Sequence, residues 1–222
     1  QLDLSGATSG LAKGCLVTNG CSLLTVNAPL ALSGTGSVYF DGNIAFNGAV
    51  EIADGQNVTL SREYAVSGAA RRMDFNAPVT GPDATLTLGY LDLNVVYFNQ
   101  PVTVREVKGT SNGYAHFCAA GNAWQTISTR YNWMYFDTAD AMDPEAVLNW
   151  NTEGGDRWYR GVWILNADQT CGGLVSPQNY THSYGPVRYT VCGQNTSRNA
   201  VLTIGVSGTN TAEMLELATD AE

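Results

Sequence analysis

Charge is scarce in this sequence, and positive charge scarcest. Asp, Glu, Lys and Arg make up 14% of the 222 residues, with 11 Lys and Arg against 20 Asp and Glu, giving a formal net charge of −9. So few cations argue against nucleic acid as a partner, because its phosphates need a basic surface. The same shortage disfavours an anionic membrane surface. No stretch approaches the ~20 apolar residues of a membrane-spanning helix, so insertion into a bilayer by this segment is not expected. Histidine is limited to His116 and His182, and no zinc-module spacing links them to cysteine. No Gly-x-Ser-x-Gly elbow and no phosphate-cradling loop occurs. No charged-then-apolar leader opens the chain and Gln1 stands where an initiator Met would be, so a mature product or a piece of something longer is expected.

What is abundant is glycine, at 24 residues, within a chain that is 44% hydrophobic. That combination suits many short strands joined by tight corners. From Leu23 onward the pattern becomes regular. Leu24-Thr-Val26, Val38-Tyr-Phe40, Ile44-Ala-Phe46, Val50-Glu-Ile52 and Val58-Thr-Leu60 are apolar-x-apolar triplets, each placing two side chains on one face. Ser33-Gly-Thr-Gly36, Asp41-Gly-Asn43, Asn47-Gly48 and Asp54-Gly-Gln-Asn57 separate them as turn signals.

Spacing separates two all-β architectures. Hairpins around Asn47-Gly48 would build an antiparallel β-sandwich, whose turns usually recur every ~8–12 residues. Here the corners recur faster, as in a parallel β-helix, a solenoid in which each coil stacks on the next. An internal echo favours the solenoid. Leu24-Thr-Val-Asn-Ala-Pro-Leu30, Met73-Asp-Phe-Asn-Ala-Pro-Val79 and Val96-Tyr-Phe-Asn-Gln-Pro-Val102 share one pattern, with prolines 49 and 23 residues apart. Those gaps fit two coils and one coil of about 23–25 residues. Proline cannot sit within a ladder and so marks the same corner each time.

One domain is expected over residues 1–222. It divides into regular coils at 1–105, an irregular aromatic-rich section at 106–160, further coils at 161–208 and an acidic tail at 209–222. Asp140 to Val147 reads as one short helical turn, with Asp143 as its cap and Pro144 at the first helical position. The five cysteines suggest two bridges. Cys15 and Cys21 flank a turn; Cys171 and Cys192 are 21 residues apart, close to one coil, which would stack them on adjacent rungs within disulfide reach. Such pairs would imply an oxidising location. The alternative is five buried thiols.

Leu165-Asn-Ala-Asp-Gln-Thr-Cys-Gly-Gly-Leu174 resembles the passenger-associated transport repeat of bacterial autotransporters. That family carries a Leu-Asn-Gly-x-x-Gln-Thr-apolar-Gly-Gly-Leu core. Ala141-Met-Asp-Pro144 with Val147-Leu-Asn-Trp150 is similar to its upstream part, and Val201-Leu-Thr-Ile-Gly205 to its downstream strand. The likeness spans roughly 137–208, and departs from the family at Ala167, where Gly is usual, and at Cys171, where Ile or Val is. It implies a right-handed parallel β-helix displayed on a cell surface as a stalk or adhesin.

All five tryptophans fall between Trp124 and Trp163. Trp124, Trp133, Arg157, Trp158 and Tyr159 are the candidate contact residues for a glycan or a cell-surface protein, since rigid aromatics anchor interfaces; the alternative is that the rings fill the core of an irregular section. His116 and Cys118 could form half a metal site or a base–nucleophile pair, but nothing in the sequence completes either. Asp74, Asp83, Asp92 and Glu106 are carboxylates for a glycan-cleaving enzyme, though unclustered. The expectation is therefore a non-enzymatic extracellular or cell-surface β-helical segment, without cofactor or metal. A self-assembling filament subunit, associating through its coil ends, and a polysaccharide-active enzyme are the alternatives.

Overall fold

A computed structural model describes residues 2–3, 15–17, 23–62, 72–89, 95–110, 113–129, 132–150, 162–175, 181–182, 185–186, 190–193, 200–205 and 216–218. These residues contain no helix; their strands are mostly parallel and lie in stacked open sheets, with no closed barrel. One sheet takes nine strands strictly in chain order: Leu24–Val26, Ile44–Phe46, Arg72–Phe75, Val95–Phe98, Gly113–Phe117, Asn132–Phe136, Val162–Leu165, Thr190–Gly193 and Glu216–Ala218. From Leu24–Val26 to Thr190–Gly193 the chain visits the second, eleven-stranded sheet between successive members, and this supplies the crossover that parallel neighbours require.

The second sheet bends along its length. In Val79–Leu88, residues 79 and 80 pair with Val50 and Glu51, whereas Thr85 to Leu88 pair with Asn57 to Leu60. The register shifts between Gly81 and Thr85, so one long strand spans two faces. The antiparallel sandwich alternative is corrected by these ladders. Among the described pairs only Thr181–His182 with Gly185–Pro186 runs antiparallel. Asn47-Gly48 makes a corner between sheets, not a hairpin, because Leu24–Val26 pairs Ile44–Phe46 in parallel.

Period-2 alternation aims one set of side chains inward. Met73, Val96, Ala115, Met134 and Trp163 form one buried column of the nine-stranded sheet. Phe46, Phe75, Phe98, Phe117 and Phe136 form the next, with successive rings stacked at centroid separations of 4.9, 5.1, 5.2 and 5.5 Å. Val58, Leu86, Val107, Ile127 and Leu148 face them from the other sheet in the same continuous core. Each ring pair contributes ~0.5–1.5 kcal/mol beyond its area burial. Parallel in-register stacking makes this possible, because it sets like above like.

The corner after each of the first four strands of the nine-stranded sheet is equally regular. The Asn47 amide donates to Asn27 at 2.9 Å, Asn76 to Asn47 at 2.9 Å and Asn99 to Asn76 at 2.8 Å, over steps of 20, 29 and 23 residues. Pro29, Pro78 and Pro101 all sit two residues past these asparagines, and the carbonyls of Pro78 and Pro101 accept from Val50 and Val79 of the rungs beneath. The expected proline corner is therefore present. Gly48 occupies the same turn because a Cβ there would lie 2.4 Å from the Ala28 backbone.

Most of the inequality between steps falls where the chain returns from the eleven-stranded sheet to the nine-stranded one; part of it falls at the bend of the second sheet, where residues 82–84 stand opposite the single Arg105. The return connection is residues 63–71 before Arg72, 89–94 before Val95, 110–112 before Gly113, 130–131 before Asn132 and 151–161 before Val162.

The Leu165–Leu174 stretch has a packing explanation. Gln169 is buried, accepts from Met142 N at 2.9 Å and donates to the Thr138 and Ala167 carbonyls at 2.6 and 3.2 Å. A Cβ on Gly172 would lie 2.4 Å from the Glu145 carbonyl oxygen.

Three expectations need amending. Asp140 to Val147 forms no helical turn; Asp143 accepts instead from Glu145 N at 2.9 Å through its side chain and from Ala146 N at 3.0 Å through its carbonyl, which ends the segment as a turn. The section 106–160, expected to be irregular, carries Gly113–Phe117, Thr126–Thr129, Asn132–Phe136 and Val147–Trp150 in unbroken parallel register. Cys171 is a free, buried thiol, not half of a bridge to Cys192. The local circuits differ from the assumed 21 residues: Cys171 pairs with Ile204 on one face, and Cys192 with Ile164 and Ala218 on another. Cys21 lies outside the described residues, as does the side chain of Cys15.

Gly48→Ala and Gly172→Ala should each lower the unfolding free energy by about 1–3 kcal/mol, since neither neighbouring backbone can yield without disturbing a ladder. Denaturant midpoints measure this, and unchanged midpoints would mean that the rungs are not so closely apposed.

Candidate functional site

The outward face of the nine-stranded sheet gathers most of the chemistry among the described residues. Its strands put Arg72, Val95, Tyr114, Trp133 and Val162 in one outer column, and Asp74, Tyr97, His116, Tyr135 and Ile164 in the next. Arg72 and Asp74 share a forked ion pair, from Nη2 at 2.7 Å and from Nε at 2.7 and 2.9 Å. The Arg72 guanidinium also lies 4.1 Å from the Tyr97 ring centroid. Its pKa is raised by the hydrogen bond to Asp74, so the cation is held in place. Tyr97, His116 and Tyr135 then stack at 4.5 and 4.1 Å. In the first column Tyr114 meets Trp133 edge-on at 6.0 Å.

Below this face the asparagine column changes character. Cys118 and Asp137 take the positions that asparagine holds on the other rungs, and Asn166 resumes the series. Asn166 donates to Asp137 Oδ1 at 2.6 Å, His116 Nδ1 lies 2.7 Å from Oδ2, and the Cys118 thiol donates to Oδ2 at 3.4 Å. A carboxylate only accepts. It can stand in a column of amides only where its neighbours on both sides donate to it, which a thiol at 118 can do. Burial alone would raise the Asp137 pKa; the bonds from His116 and Asn166 outweigh it and hold the carboxyl below its ordinary value. Burial pushes the Cys118 thiol up to about 12, reinforced by the adjacent Asp137 charge. Cys171 is likewise pushed up, to about 11, by burial.

This arrangement is not that of a cysteine nucleophile. His116 and Cys118 both address the same oxygen of Asp137, so the imidazole does not stand between acid and thiol, and a thiol with so high a pKa carries little thiolate. No group of three or more His, Cys, Asp or Glu among the described residues is arranged to hold a metal ion. Asp74 is engaged by Arg72, and Glu106 accepts from Thr85 and Ser128 at 3.5 and 3.4 Å. Asp83 is exposed, and Asp92 lies outside the described residues.

Of the sequence-predicted contact residues, Trp133 is on the outer face and 42% exposed. Trp124 is instead a core residue, 2% exposed and edge-on to Phe117 at 5.0 Å. It follows Ala123, whose isolated bridge to Thr103 leaves no strand alternation from which the inward direction could be read. Arg157, Trp158 and Tyr159 lie outside the described residues. Sequence reasoning missed Arg72, Asp74, Tyr97, Tyr114 and Tyr135 as one face, and Asp137 as the partner of His116. The available signal was the recurring strand-then-Asn pattern, which aligns Asp137 with Asn76 and Asn99.

No helix among the described residues is long and apolar enough to cross a membrane. Comparison with protein-family models, with curated proteins and with solved structures gives no match in any of the three.

Two outcomes are expected of the Cys118–Asp137 pair. Asn at both positions would let each amide donate downward from Asn166 to Asn27, whereas either single change leaves a mismatched neighbour. The double mutant should therefore be more stable than the two single effects predict, by about 1 kcal/mol, and simple additivity in denaturant titrations would refute the polarity argument. The pH dependence has two limbs. Because the Asp137 pKa is depressed, its stabilisation is present above pH 3.8 and lost as pH falls through the lower folded value; because the Cys118 pKa is raised, its contribution is present below pH 9.0 and lost as pH rises toward about 12. Asp137→Asn should flatten the acid limb of a melting-temperature profile, and Cys118→Ser the alkaline one.

Proposed function

We propose that the chain is a right-handed parallel β-helix acting as a non-enzymatic extracellular or cell-surface segment, a stiff spacer whose outer face makes adhesive contacts. The observation that carries this reading is the nine-stranded sheet in strict chain order, all parallel, from Leu24–Val26 to Glu216–Ala218. At ~4.8 Å per rung its stack is about 40 Å long. A chain that pairs each strand with the next one a circuit later is most simply wound as a coil, and right-handed crossover is the rule for such connections. The likeness of Leu165 to Leu174 to an autotransporter passenger repeat supports the surface location. The engaged carboxylates and the protonated Cys118 support a binding role over a catalytic one.

End-on self-association is the second reading. Leu23 at 51% and Val201 at 56% are two of the three exposed large hydrophobics among the described residues, and they lie toward opposite ends of the stack. Open strand edges beside apolar side chains favour stacking of another copy.

Purified protein should scatter as an elongated particle, stay bound to intact cells through washing, and release no product from a panel of polysaccharides. A compact globule would sink the coil, and turnover of any polymer in the panel would sink the non-enzymatic assignment. Concentration-dependent rods in electron micrographs would favour the filament reading.

A further inference from the structure

We infer that the edge of the nine-stranded sheet carrying Tyr114 and Trp133 is a binding site for an uncharged glycan chain lying along the stacking axis. This rests on the adhesive reading above and names its ligand class.

Three independent features converge on that edge. The first is exposure without looseness. Trp133 is 42% exposed, yet it sits within a strand paired on both sides and is buttressed by the edge of Tyr114. A rigid indole presented this way loses little conformational entropy on contact, and its apolar surface suits the C–H face of a sugar ring. The neighbouring stack of Tyr97, His116 and Tyr135 has its ring faces covered by one another, so it offers edges instead. A sugar needs that alternation of an apolar plate with polar rims.

The second is charge. Among the described residues, the ionisable groups bordering the plate are satisfied internally: Arg72 by Asp74 and the Tyr97 ring, His116 by Asp137. The chain as a whole carries −9. A sulfated or uronic polymer, a nucleic acid or an anionic lipid would meet a net negative chain and, among the described residues bordering the plate, no free cation; a basic peptide would meet carboxylates already engaged. An uncharged ligand faces neither cost.

The third is placement. Tyr114 and Trp133 stand on neighbouring rungs, near the starts of strands that follow the corner where the chain varies its length most. In stacked-repeat proteins, length variation gathers on the face that does the binding. Rungs ~4.8 Å apart present an extended surface suited to several consecutive sugars, where a small molecule would need a cleft.

The test uses the full chain against immobilised neutral polysaccharides (a β-glucan, a mannan and a galactan), with heparin and polygalacturonate as anionic controls, and cell adhesion in parallel. At least one neutral polymer should bind with little dependence on salt. Trp133→Ala should weaken that binding about tenfold or more, Tyr114→Ala less, and Trp133→Tyr should recover part of it; melting curves confirm that each variant is folded. Binding confined to the anionic polymers, or unaffected by Trp133→Ala, overturns the inference. Adhesion to cells that survives periodate oxidation of their glycans overturns it too, while leaving the adhesive reading intact. Adhesion to nothing overturns both.

Discussion

Everything in this molecule depends on parallel strands stacked in register. Once each strand pairs with the strand one circuit later, side chains are sorted into vertical columns, and every column must solve one packing or hydrogen-bonding problem repeatedly. The inner columns solve it with phenylalanine and branched aliphatics, where five stacked rings place each aromatic plane against the next. The corner column solves it with asparagine, whose amide both donates and accepts and so can repeat indefinitely. Neither solution requires charge, which accounts for a composition with so little of it.

Departures from a column are therefore informative. At Cys118 and Asp137 the amide series stops being self-similar, and the replacement is chemically matched: an acceptor-only group receives a donor from either side. The same rungs carry His116 and Tyr135 of the Tyr97–His116–Tyr135 stack on the outer surface, with His116 joining stack and column through Asp137. Column by column, the middle rungs are where the repeating structure is most modified, and they are also where a tryptophan is left open to solvent.

Much of the fold could be read from the residues alone. The triplets at Ile44, Val50 and Val58 are strands, and Pro29, Pro78 and Pro101 do mark one corner. Those features are local, set by alternation and by the missing proline N–H. What resisted reading was vertical neighbourhood. The step between rungs runs from 19 residues between Cys118 and Asp137 to 29 between Asp137 and Asn166, so a constant repeat cannot say which residue lies above which. That is why the spacing of Cys171 and Cys192 misled, and why His116 was left without its partner. Trp124 escaped for a different reason: it sits at a corner, where no alternation tells inside from outside. The aromatic-rich segment was legible as a candidate surface at Trp133, but its companions Tyr97 and Tyr114 belong to other circuits and come together only through the register.

The gathering of most length variation at one corner separates evolvability from stability. Lengthening a connection there costs only loop-closure entropy, about 0.6 kcal/mol for each doubling, and leaves every ladder, ring stack and amide column in place. A lineage could graft, shorten or exchange segments along that seam without renegotiating the scaffold, whereas the asparagine corner varies little: from Asn99 to Thr103 is four residues, and from Cys118 to Ala123, the parallel partner of Thr103, is five. The molecule thus has one margin open to novelty and another that admits only small changes.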